Sequence, residues 1–185
     1  MGRIVVSQFV TVDGVMEDPG GAEDFDRGGW AFQFQRGEDG DRFKLDEVME
    51  SKALLLGRKT YEGFAAAWPT REGEFADKFN SMPKYVVSST LSDPSWSNSA
   101  VVRIDEVARV KEEQAGVVLV NGSNQLVDTL AGQGLVDEYR LMVFPVVLGA
   151  GKRLFADVGS TAALQLVEAK PVGPDGVVVL TYRPR

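Results

Sequence analysis

Neither cysteine nor histidine occurs among the 185 residues of the chain. Without cysteine there is no disulfide framework, a composition that suits the cytoplasm. Without either residue, imidazole general bases, thiolate nucleophiles and most zinc, copper and iron sites drop out together. No apolar run approaches the length of a membrane span. The opening Met1-Gly2-Arg3-Ile4-Val5-Val6-Ser7 reads as a strand rather than a signal peptide. Basic residues are in the minority, 20 Lys and Arg against 27 Asp and Glu. The resulting net charge of -7 and pI near 4.7 argue against nucleic acid or an anionic membrane as the main partner. Carboxylates, hydroxyls, Lys, Arg and backbone amides remain, enough for an enzyme if a cofactor carries the difficult step.

What is present suffices for one good core. With 44% hydrophobic residues, the chain reads as a single domain over residues 1–185. Strands are expected at 3–9, 52–56, 85–88, 101–103 and 117–120, within 135–148, and at 164–169 and 177–182. Helices are expected at 41–50, 59–67, 105–114 and 124–131, with a helical turn at 75–81. Residues 11–40 are rich in Gly and Asp and read as a long loop with aromatic anchors. Trp30, Phe32 and Phe34 there are either a substrate-stacking wall or pegs that tie the loop to the core. Strands alternate with helices early, and the chain closes in a hairpin about a Gly-Pro-Asp-Gly turn. The pattern indicates an α/β sheet covered on both faces, mostly parallel, with an antiparallel edge.

Three strand-to-turn junctions share a chemical character. At Leu56-Gly57-Arg58-Lys59-Thr60-Tyr61-Glu62 a buried strand ends and a helix starts with two cations in its first turn. That is the wrong sign beside a helix N-terminus, so either an anion binds at the corner or both cations point into water. At Val87-Ser88-Ser89-Thr90 three hydroxyls follow a strand, and at Asn121-Gly122-Ser123-Asn124 a strand feeds a helix through glycine. Ligands of open α/β sheets bind at the carboxyl ends of strands. Together the junctions favour a ligand with several phosphates.

These residues, in this order, resemble the dihydrofolate reductases. They resemble more closely the reductase domain of the riboflavin-biosynthesis deaminase–reductases and its stand-alone bacterial relatives. Val12-Asp13-Gly14, Leu135-Val136-Asp137-Glu138 and Phe144-Pro145-Val146-Val147-Leu148-Gly149 complete the likeness, which spans nearly the whole chain. The resemblance implies a three-layer dihydrofolate-reductase-like fold and an NADPH-dependent reductase. Its substrate would be a pterin, pyrimidine or ribosylamino compound, as for a 5-amino-6-(5-phosphoribosylamino)uracil reductase or a dihydrofolate reductase. By the same resemblance Arg58, Lys59 and Thr60 hold NADPH phosphates, with Arg58 near the adenosine 2′-phosphate. Ser88 and Ser89 lie at the adenosine end, and Gly122, Ser123 and Asn124 lie at the pyrophosphate. The turn carrying Val12 and Gly14 faces nicotinamide and substrate, and Gly57, Val87, Asn121 and Leu126 complete the cofactor set. Asn121 departs from the glutamate usual in riboflavin-pathway reductases, and without zinc ligands no deaminase domain is expected.

Two carboxylates are candidates for proton delivery. Asp41 shares a helical face with Leu45, Val48 and Met49, which points it inward, although helix capping is its other reading. Asp13 before Gly14 is also the ordinary composition of a tight turn. A nucleotide-binding protein without turnover is the alternative function, and a structural domain with ordinary turns the third. The strand at 139–144 is expected at an exposed edge or a packing face, where it would join two subunits of a homodimer.

Overall fold

Apolar runs such as residues 53–56 and 117–120 offer water no polar side, so strands built from them need cover on both faces. The computed structural model describes residues 2–155, 159 and 161–185; Met1, which opens the run read as a strand rather than a signal peptide, lies outside them. The strands are β1 (Arg3–Thr11), β2 (Ser51–Gly57), β3 (Lys84–Val87), β4 (Ser99–Val102), β5 (Val117–Asn121), β6 (Val136–Phe144), β7 (Leu164–Val172) and β8 (Val177–Pro184). They form one sheet in the order β4-β3-β2-β5-β1-β6-β8-β7. Neighbours are parallel from β4 to β6, and β8 and β7 close the sheet antiparallel.

Helices α1 (Gly37–Glu50), α2 (Arg58–Ala67), α3 (Glu74–Ser81), α4 (Val107–Glu113) and α5 (Asn124–Gly132) make the outer layers. Along β1, Ile4 and Val6 pack with Val107 of α4 and with Val127 and Leu130 of α5. Val5, between them, packs with Val48, Tyr61 and Phe79 of the first three helices. A third cluster gathers Trp30 and Phe144 with Val177 and Val179 of the hairpin. The architecture is the three-layer α/β arrangement that the strand and helix pattern indicates. Among the described residues no helix is long and apolar enough to cross a membrane.

Two expectations are corrected. The 139–144 strand is no free edge, since β6 pairs with β1 on one side and β8 on the other. The row of backbone groups that a second subunit would need is already used there. The inward face of α1 also differs. It runs through Gly40, Lys44, Glu47 and Val48, whereas Met49 is 41% exposed and the Asp41 side chain 67% exposed. The i, i+4, i+7, i+8 spacing holds one residue over, and two charged residues, Lys44 and Glu47, occupy it with Gly40 and Val48. Lys44 and Glu47 turn inward because Ser7 and Arg140 meet them from the sheet. The helix also starts earlier than residue 41, at Gly37, where Glu38 and Asp39 match the positive end of the helix.

A buried lysine fixes the far end of the sheet. The Lys84 ammonium donates to the carbonyls of Asn80, Met82 and Ser97 at 2.7, 2.8 and 3.0 Å and lies 4.3 Å from the centre of the Trp96 ring. Burial pulls its pKa down to about 8, so the charge survives at neutral pH. Lys84→Met would leave those carbonyls without a partner, and a loss of about 3 kcal/mol is expected. For a chain of this length that lowers the melting temperature by roughly 6–12 °C in a thermal scan. A shift under about 3 °C would show that water replaces the ammonium without cost.

The closing hairpin is seated on the approach to α1. The Gln35 N–H donates to Asp175 Oδ2 at 2.6 Å. Gly173 (φ 65°) lies so close that a Cβ on it would sit 2.3 Å from the Arg36 carbonyl carbon. No other residue fits there.

Candidate active site

Parallel strands end at one edge of the sheet, β3, β2 and β5 nearly level and β1 and β6 about four residues beyond them. Val87, Gly57, Asn121, Thr11 and Phe144 are the last residues of β3, β2, β5, β1 and β6, which is also their spatial order. At about 4.8 Å per strand the row is roughly 19 Å long. Every sequence-level candidate except Asp41 and Leu126 lies within three residues of one of these ends.

The first and third junctions are physically joined. The Gly57 N–H donates to Ser123 Oγ at 2.9 Å, and the Ser123 hydroxyl donates to Thr60 Oγ1 at 2.8 Å. The N-termini of α2 and α5 are thereby held side by side, and neither has a side-chain cap. Gly122 (φ 60°) and Ser123 (φ 58°) are both left-handed. A Cβ on Gly122 would lie 2.8 Å from Thr60 Oγ1, so glycine is required there for space as well as for conformation. Asn124 is half-buried at the first position of α5. Leu126 is buried in the core beneath Gly57. Asn121 Nδ2 is shut off from water with no hydrogen-bond partner among the described residues.

Arg58 connects the first junction with the second. Its Nε donates to Glu62 Oε1 and its Nη1 to Thr90 Oγ1, each at 2.7 Å. The cation thus folds toward the hydroxyl-rich loop, with its side chain 48% exposed. Ser88 Oγ accepts the N–H groups of Thr90 and Leu91 and shapes that loop, while Ser89 is exposed. Val87 packs against the core. Lys59 is exposed and lowers the Glu17 pKa through space, behind the stronger pull of Lys152.

Asp13 holds its turn. Its carboxylate accepts from the Thr11 hydroxyl at 2.6 Å and from the Leu148 and Gly149 N–H groups at 3.2 and 2.8 Å. The Thr11 bond, with those amides, lowers its pKa to about 2 despite some desolvation. A carboxylate so held is ionised and has no proton to deliver at neutral pH. It ties the Val12–Gly14 turn to the loop after β6, where the Val12 N–H also donates to the Val146 carbonyl at 3.0 Å. Val12 and Gly14 flank it, Val12 with its side chain exposed.

Beside this turn opens a cleft of about 400 Å³, lined by Phe9, Phe32, Phe34, Arg36, Asp41 and Phe144 among others. Trp30 is buried against Phe144 as a peg, edge to face at 5.4 Å, while Phe32 is 79% exposed over the cleft. Both sequence readings of the aromatics therefore apply, to different rings. Asp41 stands at the rim in an ion pair with Arg36 at 2.7 Å, and the Arg36 guanidinium lies 5.3 Å from the Phe9 ring centre. Asp13 and Asp41 are thus brought to the same end of the sheet, one pinned and the other solvated.

Sequence reasoning missed Gln8 and the Ser7–Lys44–Glu47 group. Gln8 is an ordinary strand residue by pattern, and its partner Gly122 lies 114 positions away. Glu47 is fully buried, accepts from Ser7 Oγ at 2.8 Å and pairs with Lys44, whose ammonium donates to Ser7 Oγ at 2.7 Å and lies 5.5 Å from the Phe9 ring centre. Two charges at inward helix positions are the sequence signal that could have found this group.

Parallel strand ends, two joined helix N-termini and an aromatic cleft along one edge of the sheet fit an α/β protein of the dihydrofolate-reductase-like fold. Two solved structures agree on the fold. A Shewanella sp. PV-4 protein whose name places it in riboflavin biosynthesis superposes with a TM-score of 0.73 at 20% identity, over 99% of both chains. Dihydrofolate reductase from Enterococcus faecalis, complexed with NADP(H), superposes at 0.64 and 14% identity, over 99% of this chain and 96% of that one. The chain belongs to the RibD C-terminal domain family, whose model matches residues 3–178. Its relatives in Bacillus subtilis (strain 168) include YyaP, 31% identical over 97% of this chain and 94% of that protein, and YwjB, 29% identical over 92% of each. Both carry the name of uncharacterized proteins.

Proposed function

We propose that the chain is an NADPH-dependent cytoplasmic reductase acting on a small planar heterocycle of the pterin, pyrimidine or ribosylamino kind. Family membership supports a reductase-like function. The observation that carries the cofactor is the joined, uncapped pair of helix N-termini at Gly57 and Ser123, with Arg58 at one end of the row. Their amides suit a diphosphate, and Arg58 suits an additional phosphate on the adenosine ribose. The Asn121 Nδ2 adds a buried donor that meets no hydrogen-bond partner among the described residues.

When bound, NADPH would supply the hydride. The residues of the chain bind, orient and exclude water. Asp13 holds the turn at the end of β1, and the Phe9, Phe34 and Phe144 rings offer a planar substrate an apolar floor. Asp41, solvated at the rim, would relay a proton through water rather than touch the reacting atom. One observation favours the alternative of a nucleotide-binding protein without turnover: neither carboxylate is placed as a buried acid. Side-by-side titration with NADPH and NADH, read by quenching of tryptophan fluorescence, tests the reading. Tight binding of NADPH alone is expected, and pterins and aminopyrimidines should then oxidise it. Binding without turnover on any of them would leave the sensor reading, and no binding of either nucleotide would remove both.

A further inference from the structure

Pairing between β1 and β5 ends at Ser7 and Asn121, one residue before Gln8. Beyond that point the chain after β5 turns away into α5, while β1 runs on to Thr11 paired with β6. Gln8 takes over with its side chain. Nε2 donates to the Gly122 carbonyl at 2.6 Å, and the Gly122 N–H donates back to Oε1 at 3.1 Å. The residue is 4% exposed, and its amide spends one N–H and its oxygen on a single residue. It acts as a substitute rung of the sheet.

We propose that Gln8 is the positioning residue of the Gly122–Ser123 corner and so sets its affinity for the diphosphate of the nucleotide; this rests on the cofactor reading above. Gly122 and Ser123 are left-handed in succession, and for serine that conformation is unfavourable. By fixing both the N–H and the carbonyl of Gly122, the Gln8 amide fixes the peptide planes on either side of it. Because carbonyl and N–H point oppositely across a planar peptide, a Gly122 carbonyl aimed at Gln8 turns the Ser123 N–H away from β1. Ser123 is then free to bridge Gly57 and Thr60 on its other side. Released from Gln8, the 122–123 peptide can rotate, and the uncapped start of α5 loses its fixed place beside α2.

The test compares the wild-type chain with Gln8→Met, which keeps the length and removes both hydrogen bonds, and with Gln8→Glu, which keeps only the acceptor. Three readouts are taken: NADPH affinity, affinity for adenosine 2′-monophosphate, which has no diphosphate, and amide hydrogen exchange at Gly122 without ligand. Gln8→Met is expected to weaken NADPH about tenfold or more, to leave adenosine 2′-monophosphate within about twofold, and to speed exchange at Gly122. Gln8→Glu should keep slow exchange at Gly122 while still losing NADPH affinity. Unchanged NADPH affinity in Gln8→Met, or an equal loss of both ligands, would overturn the assignment. If the wild-type chain binds no NADPH, the cofactor reading fails with it. The exchange arm then still decides separately whether Gln8 holds the corner, and unchanged exchange in Gln8→Met would overturn that too.

Discussion

Replacing Arg58 by alanine is expected to weaken NADPH binding by about 10- to 100-fold and to change NADH binding by less than about threefold. The asymmetry follows from what the guanidinium touches. It lies at the β3 end of the row, the end the proposed cofactor reading gives to adenosine, against Thr90 of the hydroxyl-rich loop and far along the sheet edge from the aromatic cleft. A ribose 2′-phosphate there would accept charge-assisted hydrogen bonds, whereas a 2′-hydroxyl makes ordinary ones. Arg58→Lys should fall between, since a lysine keeps the charge and loses the planar fork. The i,i+4 pair with Glu62 is half exposed, so its loss contributes little to stability. Isothermal titration of both nucleotides against both variants reads the effect. Equal losses for NADPH and NADH would assign Arg58 to the diphosphate or to no ligand at all.

The second large effect is expected in stability. Glu47→Ala should lower unfolding free energy by about 3–5 kcal/mol, because it breaks a buried ion pair from one side. Arg140 would keep Glu138 and Glu50. Lys44 would be left with the Ser7 hydroxyl and the face of the Phe9 ring but no carboxylate among the described residues, its side chain 12% exposed. Lys44→Met added to Glu47→Ala should restore most of the loss, since the cost lies in the orphaned cation rather than in the missing carboxylate. Urea denaturation of the wild-type chain and the single and double variants measures this. An additive loss in the double variant would show that the pair holds α1 on the sheet by attraction and not by mutual compensation.

The parts of the fold that were legible in the sequence obey local rules. Gly57 and Gly122 mark strand ends because the chain turns there within one or two residues, and the turn at 173–176 is set by its own composition. The apolar runs of β2 and β5 announce a sheet covered on both faces. What stayed illegible depends on partners distant in sequence. The Glu47 side chain looks solvent-facing until Ser7, 40 residues earlier, and Arg140 are folded beneath it. Asp41 looks inward on the strength of Leu45, Val48 and Met49, and the polar face one residue over wins because the sheet offers it charges. In the site, the three junctions could be recognised one by one, but the hydroxyl of Ser123 that ties two of them together is a matter of packing.

The seat of Gly173 against Arg36 sets an order of events during synthesis. Arg36 lines the cleft, yet the backbone it leans on leaves the ribosome 137 residues later, as the separation of 36 from 173 requires. A nascent chain can complete β1, β5 and the Gly122–Ser123 corner while the rim of the cleft still lacks its support. The half of the edge at Gly57 and Ser123 can therefore form before the half at the aromatic cleft, and a chain released early, short of its last hairpin, would carry the former without the latter.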